Sequence, residues 1–264
     1  MSQSGVVSLF EEARNEGKLS QKSLDLLGNV DIGQAIQDGL GISVDGVMAS
    51  EVVLVTIMPD DSGSIRFASN AQLVRDGHNL VIDALNKSKQ TDSVLMHTRY
   101  LNGHVLFPYR EISQAIQMDS KNYDPNGGTP LYDQTLVLLG TVLAKSQEFA
   151  SNGVPVRTVT LIITDGADCS SYKKASDVKS VIKDMLKQEN HIVAAMGIYD
   201  QGTDFNQVFK EMGILPEWIL TPGNTPSEIR KAFMVFSQSA VRASQGAQSF
   251  SQVAQAGLGG GFTS

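Results

Sequence analysis

The chain has 264 residues, of which 41% are apolar, so it can bury the core of one sizeable α/β domain with extensions or of two small domains. Its net charge of −7 argues against a general nucleic-acid-binding protein, because such proteins need clustered Lys and Arg to displace counterions from phosphates. The single cysteine, Cys169, cannot form an internal disulfide, which favours a reducing compartment. There is neither a signal-peptide pattern nor a run of about 20 apolar residues, so we expect a cytoplasmic protein without a membrane span.

The first 50 residues carry apolar side chains at roughly helical spacings, which predicts several short helices. Gly17, Gly28, Gly39 and Gly41 are expected to interrupt these helices. We interpret residues 1–50 as a helical N-terminal extension that packs against a domain and is not a domain of its own.

From Glu51 onward, apolar runs typical of strands alternate with patterns typical of helices. The predicted strands are 52–58, 93–101, 105–109, 157–164, 192–199 and 218–220, and the predicted helices are 71–87, 131–150, 175–189, 205–212 and 227–241. This alternation favours a mostly parallel sheet covered by helices on both faces, with ligand chemistry at the carboxyl ends of the strands.

Two segments depart from that alternation. The strands 93–101 and 105–109 are joined through Asn102-Gly103, which predicts a hairpin at the edge of the sheet. Residues 244–264 are rich in Ser, Gln, Ala and Gly and are predicted to form a flexible tail, although a tail that docks on a partner would have the same composition. The predicted domain therefore covers residues 51–243.

Hydroxyl and carboxylate side chains follow the strands at three places that are distant in sequence. Asp60, Ser62 and Ser64 come directly after the first strand, Thr129 precedes a helix, and Asp165 follows the strand 157–164. Hard oxygen ligands of this kind suit Mg²⁺, with Mn²⁺ or Ca²⁺ as alternatives, and suit zinc or copper poorly. Because few of them are anionic, a cation held there would still gain from a carboxylate brought by another molecule.

Each motif also has a simpler interpretation. Asp and Ser favour capped turns, so the segment from Asp60 to Ser64 would not by itself predict a metal site. Asp61 and Asp168 are expected to be exposed loop acids and are left out of the ligand set, and Asp124 is expected to be a turn residue.

At these residues the chain resembles the von Willebrand factor A family and its metal-ion-dependent adhesion site. Asp60, Ser62 and Ser64 match the family's Asp-x-Ser-x-Ser, Thr129 matches its lone threonine, and Asp165 matches its last aspartate. The three motifs occur in the family's order across residues 51–239, and a chance match of all three is rare although each alone is weak. The chain looks most like the stand-alone bacterial members of the family.

The resemblance implies a Rossmann-like, three-layer α/β/α sandwich with a mostly parallel sheet of about six strands, one antiparallel edge strand and a cation at its top. It implies that the serines and the threonine contact the metal, that the aspartates often act through water, and that a partner's Glu or Asp completes the coordination. Some members act with AAA+ ATPases or in stress-related gene clusters, so the resemblance suggests such a partner in signalling, stress response or assembly. Pro59 departs from the apolar residue usual before the first aspartate, which leaves the role of Asp60 open.

Two other functions stay open at this point. A Mg²⁺-dependent phosphotransfer or hydrolytic enzyme would also place acids at the top of a parallel sheet. We expect no enzyme, because position 62 is serine where a haloacid-dehalogenase-type phosphatase needs a second carboxylate, and no phosphate loop or nucleophile elbow occurs. The other alternative is an interaction protein that binds through its N-terminal helices or its tail, with the metal incidental.

Overall fold

The chain begins with three helices in the computed structural model, which describes residues 3–88 and 91–244. They are α1 (Gln3–Asn15), α2 (Gln21–Leu27) and α3 (Val30–Leu40). The hydroxyl of Ser20 caps α2 by accepting from the Ser23 N–H, and the side chain of Asn29 caps α3 by accepting from the Asp31 N–H. Capping side chains and intervening glycines thus divide this leader, as residues 1–50 are called below, into short helices.

Six strands form one sheet. They are β1 (Val52–Met58), β2 (Val94–Arg99), β3 (Val105–Glu111), β4 (Val156–Thr164), β5 (His191–Gly197) and β6 (Ile219–Leu220). Their spatial order is β3-β2-β1-β4-β5-β6, and every neighbouring pair is parallel except β2 and β3, which are antiparallel. Every residue of β1, β2 and β5 is buried, as expected for strands covered on both faces.

Six further α-helices follow in the described residues. They are α4 (Gly63–Phe67), α5 (Ala71–Asn86), α6 (Leu131–Ser151), α7 (Ala175–Leu186), α8 (Phe205–Glu211) and α9 (Pro226–Ser244). Helix α5 packs on α9, which contacts β1 and β4, while α6 contacts the same two strands and packs against α3 and α7. The result is a three-layer α/β/α sandwich with a mostly parallel sheet and an antiparallel edge strand, which confirms the predicted fold class.

The leader helices share the main hydrophobic core. Val6, Phe10, Leu27 and Ile36 are all at most 1% exposed and lie in the same cluster as the sheet residues. The leader is therefore packed continuously against the sandwich in the described structure. Within the described ranges, no helix is long and apolar enough to cross a membrane.

The prediction that Gly39 interrupts a helix was wrong, since α3 continues to Leu40. A Cβ at Gly39 would lie 2.6 Å from Cγ2 of Thr141 in α6 and 3.0 Å from Nε2 of His97 in β2. Glycine is needed there for close packing between helix and sheet. Gly41 does end the helix, with a φ of 58° and no room for a Cβ beside the backbone of Tyr109.

Some element ends differ from the sequence prediction for local reasons. Helix α7 ends at Leu186, before the predicted 189, and Glu189 adopts a positive φ of 58° that a helix does not permit. Strand β2 ends at Arg99, because the Tyr100 N–H donates to the His104 carbonyl in the hairpin turn. The predicted tail, apart from Ser244 at the end of α9, lies outside the described residues.

Candidate metal centre

The carboxylate of Asp60 lies fully buried just beyond the end of β1. Its Oδ1 accepts a hydrogen bond from the Ser62 N–H at 2.7 Å, and its Oδ2 accepts one from the Thr164 hydroxyl at 2.7 Å. The hydroxyl of Tyr123 donates to the carbonyl of Asp60. Asp60 is therefore oriented by groups from three separate chain segments.

A line of oxygen atoms runs from Ser62 through Ser64 to Asp165. The two serine hydroxyl oxygens are 2.8 Å apart, and the Ser64 hydroxyl donates to Oδ1 of Asp165 at 2.6 Å. Ser62 and Asp165 are each 3% exposed, whereas Ser64 is exposed to solvent. Side chains that are 101 residues apart in sequence thus meet at a site that is open on one side.

Thr129 reaches the same edge of the sheet through backbone contacts on both sides of its loop. The Gly63 N–H donates to the Gly127 carbonyl at 3.1 Å, and the Cys169 N–H donates to the Thr129 carbonyl at 3.1 Å. Thr129 itself is 6% exposed. Its loop therefore lies between the segment that carries the two serines and the loop that begins with Asp165.

The expectation that Asp61 is an exposed loop acid was wrong, since it is only 4% exposed. Its Oδ1 accepts from the Asn102 N–H at 2.9 Å, and its carbonyl accepts from the Gly127 N–H at 2.9 Å. Asp61 thus connects the hairpin turn and the Thr129 loop to the end of β1. Burial was not predictable here, because both partners lie more than 40 residues away.

Asp168 is also not an exposed acid, because it is half-buried and accepts a hydrogen bond from the Tyr132 N–H at the start of α6, at 3.3 Å. It accepts a hydrogen bond from the Ser171 hydroxyl at 2.5 Å. The neighbouring Asp133 accepts from the N–H groups of Tyr172 at 3.0 Å and of Lys173 at 2.8 Å. These two carboxylates hold the loop that follows Asp165 against α6. Asp124, expected in a turn, is exposed and pairs with Arg66.

Comparison with known proteins identifies the fold. No family model matches the chain, and no curated protein matches it. Among solved structures, the von Willebrand factor domain of the type V pili tip protein Mfa5 from Porphyromonas gingivalis has a TM-score of 0.51 at 12% sequence identity, covering 76% of this chain and 98% of that one. This chain has the von Willebrand factor A fold.

Two longer proteins contain the same fold. The pilus adhesin SpaC from Lactobacillus rhamnosus GG has a TM-score of 0.55 at 12% identity, over 74% of this chain and 31% of that one. Proximal thread matrix protein 1 from the mussel byssus has a TM-score of 0.50 at 16% identity, over 71% of this chain and 48% of that one. This chain therefore spans less than half the length of either protein. A further structure of the mussel protein has zinc in its MIDAS motif.

The electrostatics at this edge of the von Willebrand factor A fold favour a bound cation. Burial raises the pKa of Asp60, and it raises the pKa of both Asp61 and Asp165 to about 6. The carboxylate of Asp60 adds to the last two shifts by repulsion. None of the three forms an ion pair with a basic side chain within residues 3–88 and 91–244. A divalent cation would supply the missing positive charge.

The donor set also fits a hard cation in its chemistry. The described part of the chain has no group of three or more His, Cys, Asp or Glu side chains able to hold a metal. Any metal at this site would therefore depend on serine and threonine hydroxyls as well as carboxylates, which suits Mg²⁺, Mn²⁺ or Ca²⁺.

Three residues that support the site were not predicted from the sequence: Asp61, Tyr123 and Thr164. Thr164 holds Asp60 through its hydroxyl, and Tyr123 holds the Asp60 backbone from 63 residues away. Thr164 precedes Asp165 directly, so its position at the strand end was the one available signal. Nothing in the spacing of Tyr123 indicated its role.

Proposed function

We propose that this protein holds one divalent cation, Mg²⁺, through Asp60, Ser62, Ser64, Thr129 and Asp165, and uses it to bind an acidic residue of a partner protein. The observation that carries this proposal is the continuous line of oxygens from Ser62 through Ser64 to Asp165, open to solvent at Ser64. Mn²⁺ and Ca²⁺ are the alternative ions for the same donor set.

Each proposed ligand has a distinct role. Ser62, Ser64 and Thr129 offer neutral oxygens to the cation, while Asp60 and Asp165 supply negative charge directly or through bound water. The bound ion supplies a concentrated positive charge at an open edge of the sheet. A Glu or Asp from a partner would find there a ligand position that the chain does not fill with a carboxylate of its own.

Binding is favoured over catalysis by the position of three of the four histidines. His78, His97 and His191 are buried, and burial lowers their pKa to about 4, 3 and 3, so they are neutral at physiological pH. Their hydrogen bonds go to Thr98, the Phe107 carbonyl and Thr158, away from the proposed ligands. The structural relatives named above are a matrix protein, a pilus adhesin and a pilus tip protein, which also favours a binding role.

The family resemblance adds a setting to the proposal. We propose a bacterial protein that acts in the cytoplasm in signalling, stress response or complex assembly, with an AAA+ ATPase or a stress-response protein as the partner class. The net charge of −7 is consistent with a partner other than nucleic acid.

The test is affinity capture from native lysate with wild type and Thr129→Ala, each with Mg²⁺ and with chelator, followed by mass spectrometry. Of the four samples, only the wild type with Mg²⁺ should retain the partner. Substitution of one Glu or Asp of that partner should then abolish its retention. The same partners in all four samples would contradict metal-dependent binding and would favour contact through the leader or the tail.

A further inference from the structure

A groove of about 330 Å³ lies between the leader helix α3 and the beginning of α6. Its apolar lining comes from Ile32 and Ala35 on α3 and from Leu136 and Val137 on α6, and Tyr172 forms one side. The lining also includes the charged residues Asp31, Asp133 and Lys173, and a mixture of apolar and charged residues is typical of protein interfaces. The leader and the von Willebrand factor A fold therefore build this groove jointly.

The groove shares two chain segments with the proposed metal centre. Thr129 stands two residues before the start of α6, and the loop that begins at Asp165 contains Tyr172, whose backbone N–H donates to Asp133. With a rise of 1.5 Å per residue, the apolar groove residues Leu136 and Val137 lie roughly 7–9 Å along α6 from its first residue, Leu131. A bound peptide of ordinary length can reach both places.

Three exposed aromatic side chains lie in segments that follow strands of the sheet. Tyr172 is 95% exposed and Phe67 is 88% exposed, and Tyr199, just beyond β5, is 54% exposed. They are the three aromatic members of the exposed large hydrophobic residues in the described chain, and each follows the carboxyl end of a strand. Aromatic residues are enriched in the energetically important parts of protein interfaces. This distribution favours a protein partner over a small anion.

We propose that one partner segment binds at two points, with its Glu or Asp carboxylate on the cation and an apolar side chain in the groove against Tyr172. This inference rests on the proposed function and names the class of partner that the site recognises. An extended chain advances about 3.3 Å per residue, so an apolar residue a few positions away from the acidic one can reach the groove. The leader thus determines which acidic segments are bound.

The experiment selects peptides from a displayed library of random ten-residue segments on the full chain, with Mg²⁺ and with chelator. The variants are Ile32→Asp and Tyr172→Ala. The control is Met48→Ala, because Met48 lies outside the groove and its exposed fraction of 98% is similar to the 95% of Tyr172. Because Tyr172 is itself almost fully exposed, its truncation is expected to leave the fold intact, which circular dichroism checks.

We expect wild type and Met48→Ala to select peptides that pair an acidic residue with a bulky apolar one at a fixed short offset. Ile32→Asp and Tyr172→Ala should bind those peptides about tenfold more weakly, the loss of one good apolar contact, while still requiring Mg²⁺ and the acidic residue.

Three results would overturn the inference. If the selected peptides require Mg²⁺ and an acidic residue but show no preference for an apolar residue, the groove is not a binding site. The proposed metal centre would be unaffected by that result. Peptides that bind equally in chelator, or no selected peptides, would refute the proposed function and the inference together. A dimer in light scattering that Tyr172→Ala converts to a monomer would show that a second copy fills the groove.

Discussion

The carboxylate of Asp165 is buried beside Asp60, and no basic side chain of the described residues forms an ion pair with it. Burial raises its pKa to about 6, so the ionised form present at neutral pH destabilises the metal-free fold. Asp165→Asn should therefore stabilise the metal-free protein by about 1–3 kcal/mol, since the amide keeps an acceptor for Ser64 and loses the charge.

The same substitution should abolish stabilisation by Mg²⁺. Urea unfolding of wild type and variant, each with chelator and with Mg²⁺, measures both effects. Equal responses of the two proteins to Mg²⁺ would show that Asp165 takes no part in metal binding.

Asp184 in α7 holds the leader through a buried hydrogen-bonded carboxylate. Its Oδ2 accepts from the Ser20 N–H at 2.8 Å and from the Ser23 hydroxyl at 2.7 Å, and Lys187 pairs with its Oδ1 at 2.9 Å. Burial alone would raise the pKa of Asp184, but these partners together lower it to about 2. The stabilisation is therefore present above the unfolded pKa of about 3.9 and is lost as the pH falls through 2.

We predict that Asp184→Asn lowers the free energy of unfolding by about 1–3 kcal/mol at pH 7 and has a much smaller effect near pH 2. Urea titrations at the two pH values test this, with Asp25→Asn on the exposed side of α2 as the control. If Asp184→Asn lowers the free energy of unfolding by the same amount at both pH values, the charge of Asp184 is not the cause of the loss.

At the scale of elements, the contact of α3 with α6 and the sheet depends on the absence of a side chain at Gly39. Gly39→Ala would place a methyl group against Thr141 and His97, so we predict a loss of about 1–3 kcal/mol in unfolding free energy from overpacking. Gly202→Ala is the matched control, because a Cβ there meets nothing within 4 Å. Thermal unfolding of both variants gives the comparison. Equal melting temperatures would mean that α3 is not tightly packed in solution.

The sequence predicted the longer elements well, because each shows either a helical hydrophobic period or an unbroken apolar run. The fully buried β1 is an example, since its seven apolar or β-branched residues give a strand directly. Helix α4 was not predicted because its five residues are too few to show a helical period. Gly39 was misinterpreted because its role depends on two residues distant in sequence.

We retain as a proposal the division into a leader of residues 1–50, a domain of residues 51–243 and a tail of residues 244–264.

In the candidate site, too, the residues in local motifs were predicted and the residues placed by tertiary contacts were not. Asp60, Ser62, Ser64, Thr129 and Asp165 were predicted as ligands because they lie in short motifs, and the structure brings four of them into a hydrogen-bonded group and the loop of Thr129 beside it. The supporting roles of Asp61 and Tyr123 arise from tertiary contacts that no local motif records.

At the scale of the whole molecule, a cation that binds only the folded chain should raise its stability. At about 100 times the dissociation constant the gain is about 2.7 kcal/mol, which corresponds to roughly 5–10 °C in melting temperature for a chain of this size. Thermal unfolding in Mg²⁺ and in chelator measures the shift, and Thr129→Ala should reduce it to nearly zero. A shift of equal size in the variant would place the stabilising ion elsewhere.

The most direct test of the metal centre is a titration with Mn²⁺ followed by electron paramagnetic resonance, in which bound Mn²⁺ loses the signal of the free ion. We predict one site per chain in the wild type and in Ser170→Ala, an exposed neighbouring serine outside the ligand set, with displacement of Mn²⁺ by Mg²⁺. Ser64→Ala and Thr129→Ala should bind Mn²⁺ far more weakly. If both of these variants bind Mn²⁺ as tightly as the wild type does, or if the wild type binds no Mn²⁺, the proposed metal centre is contradicted.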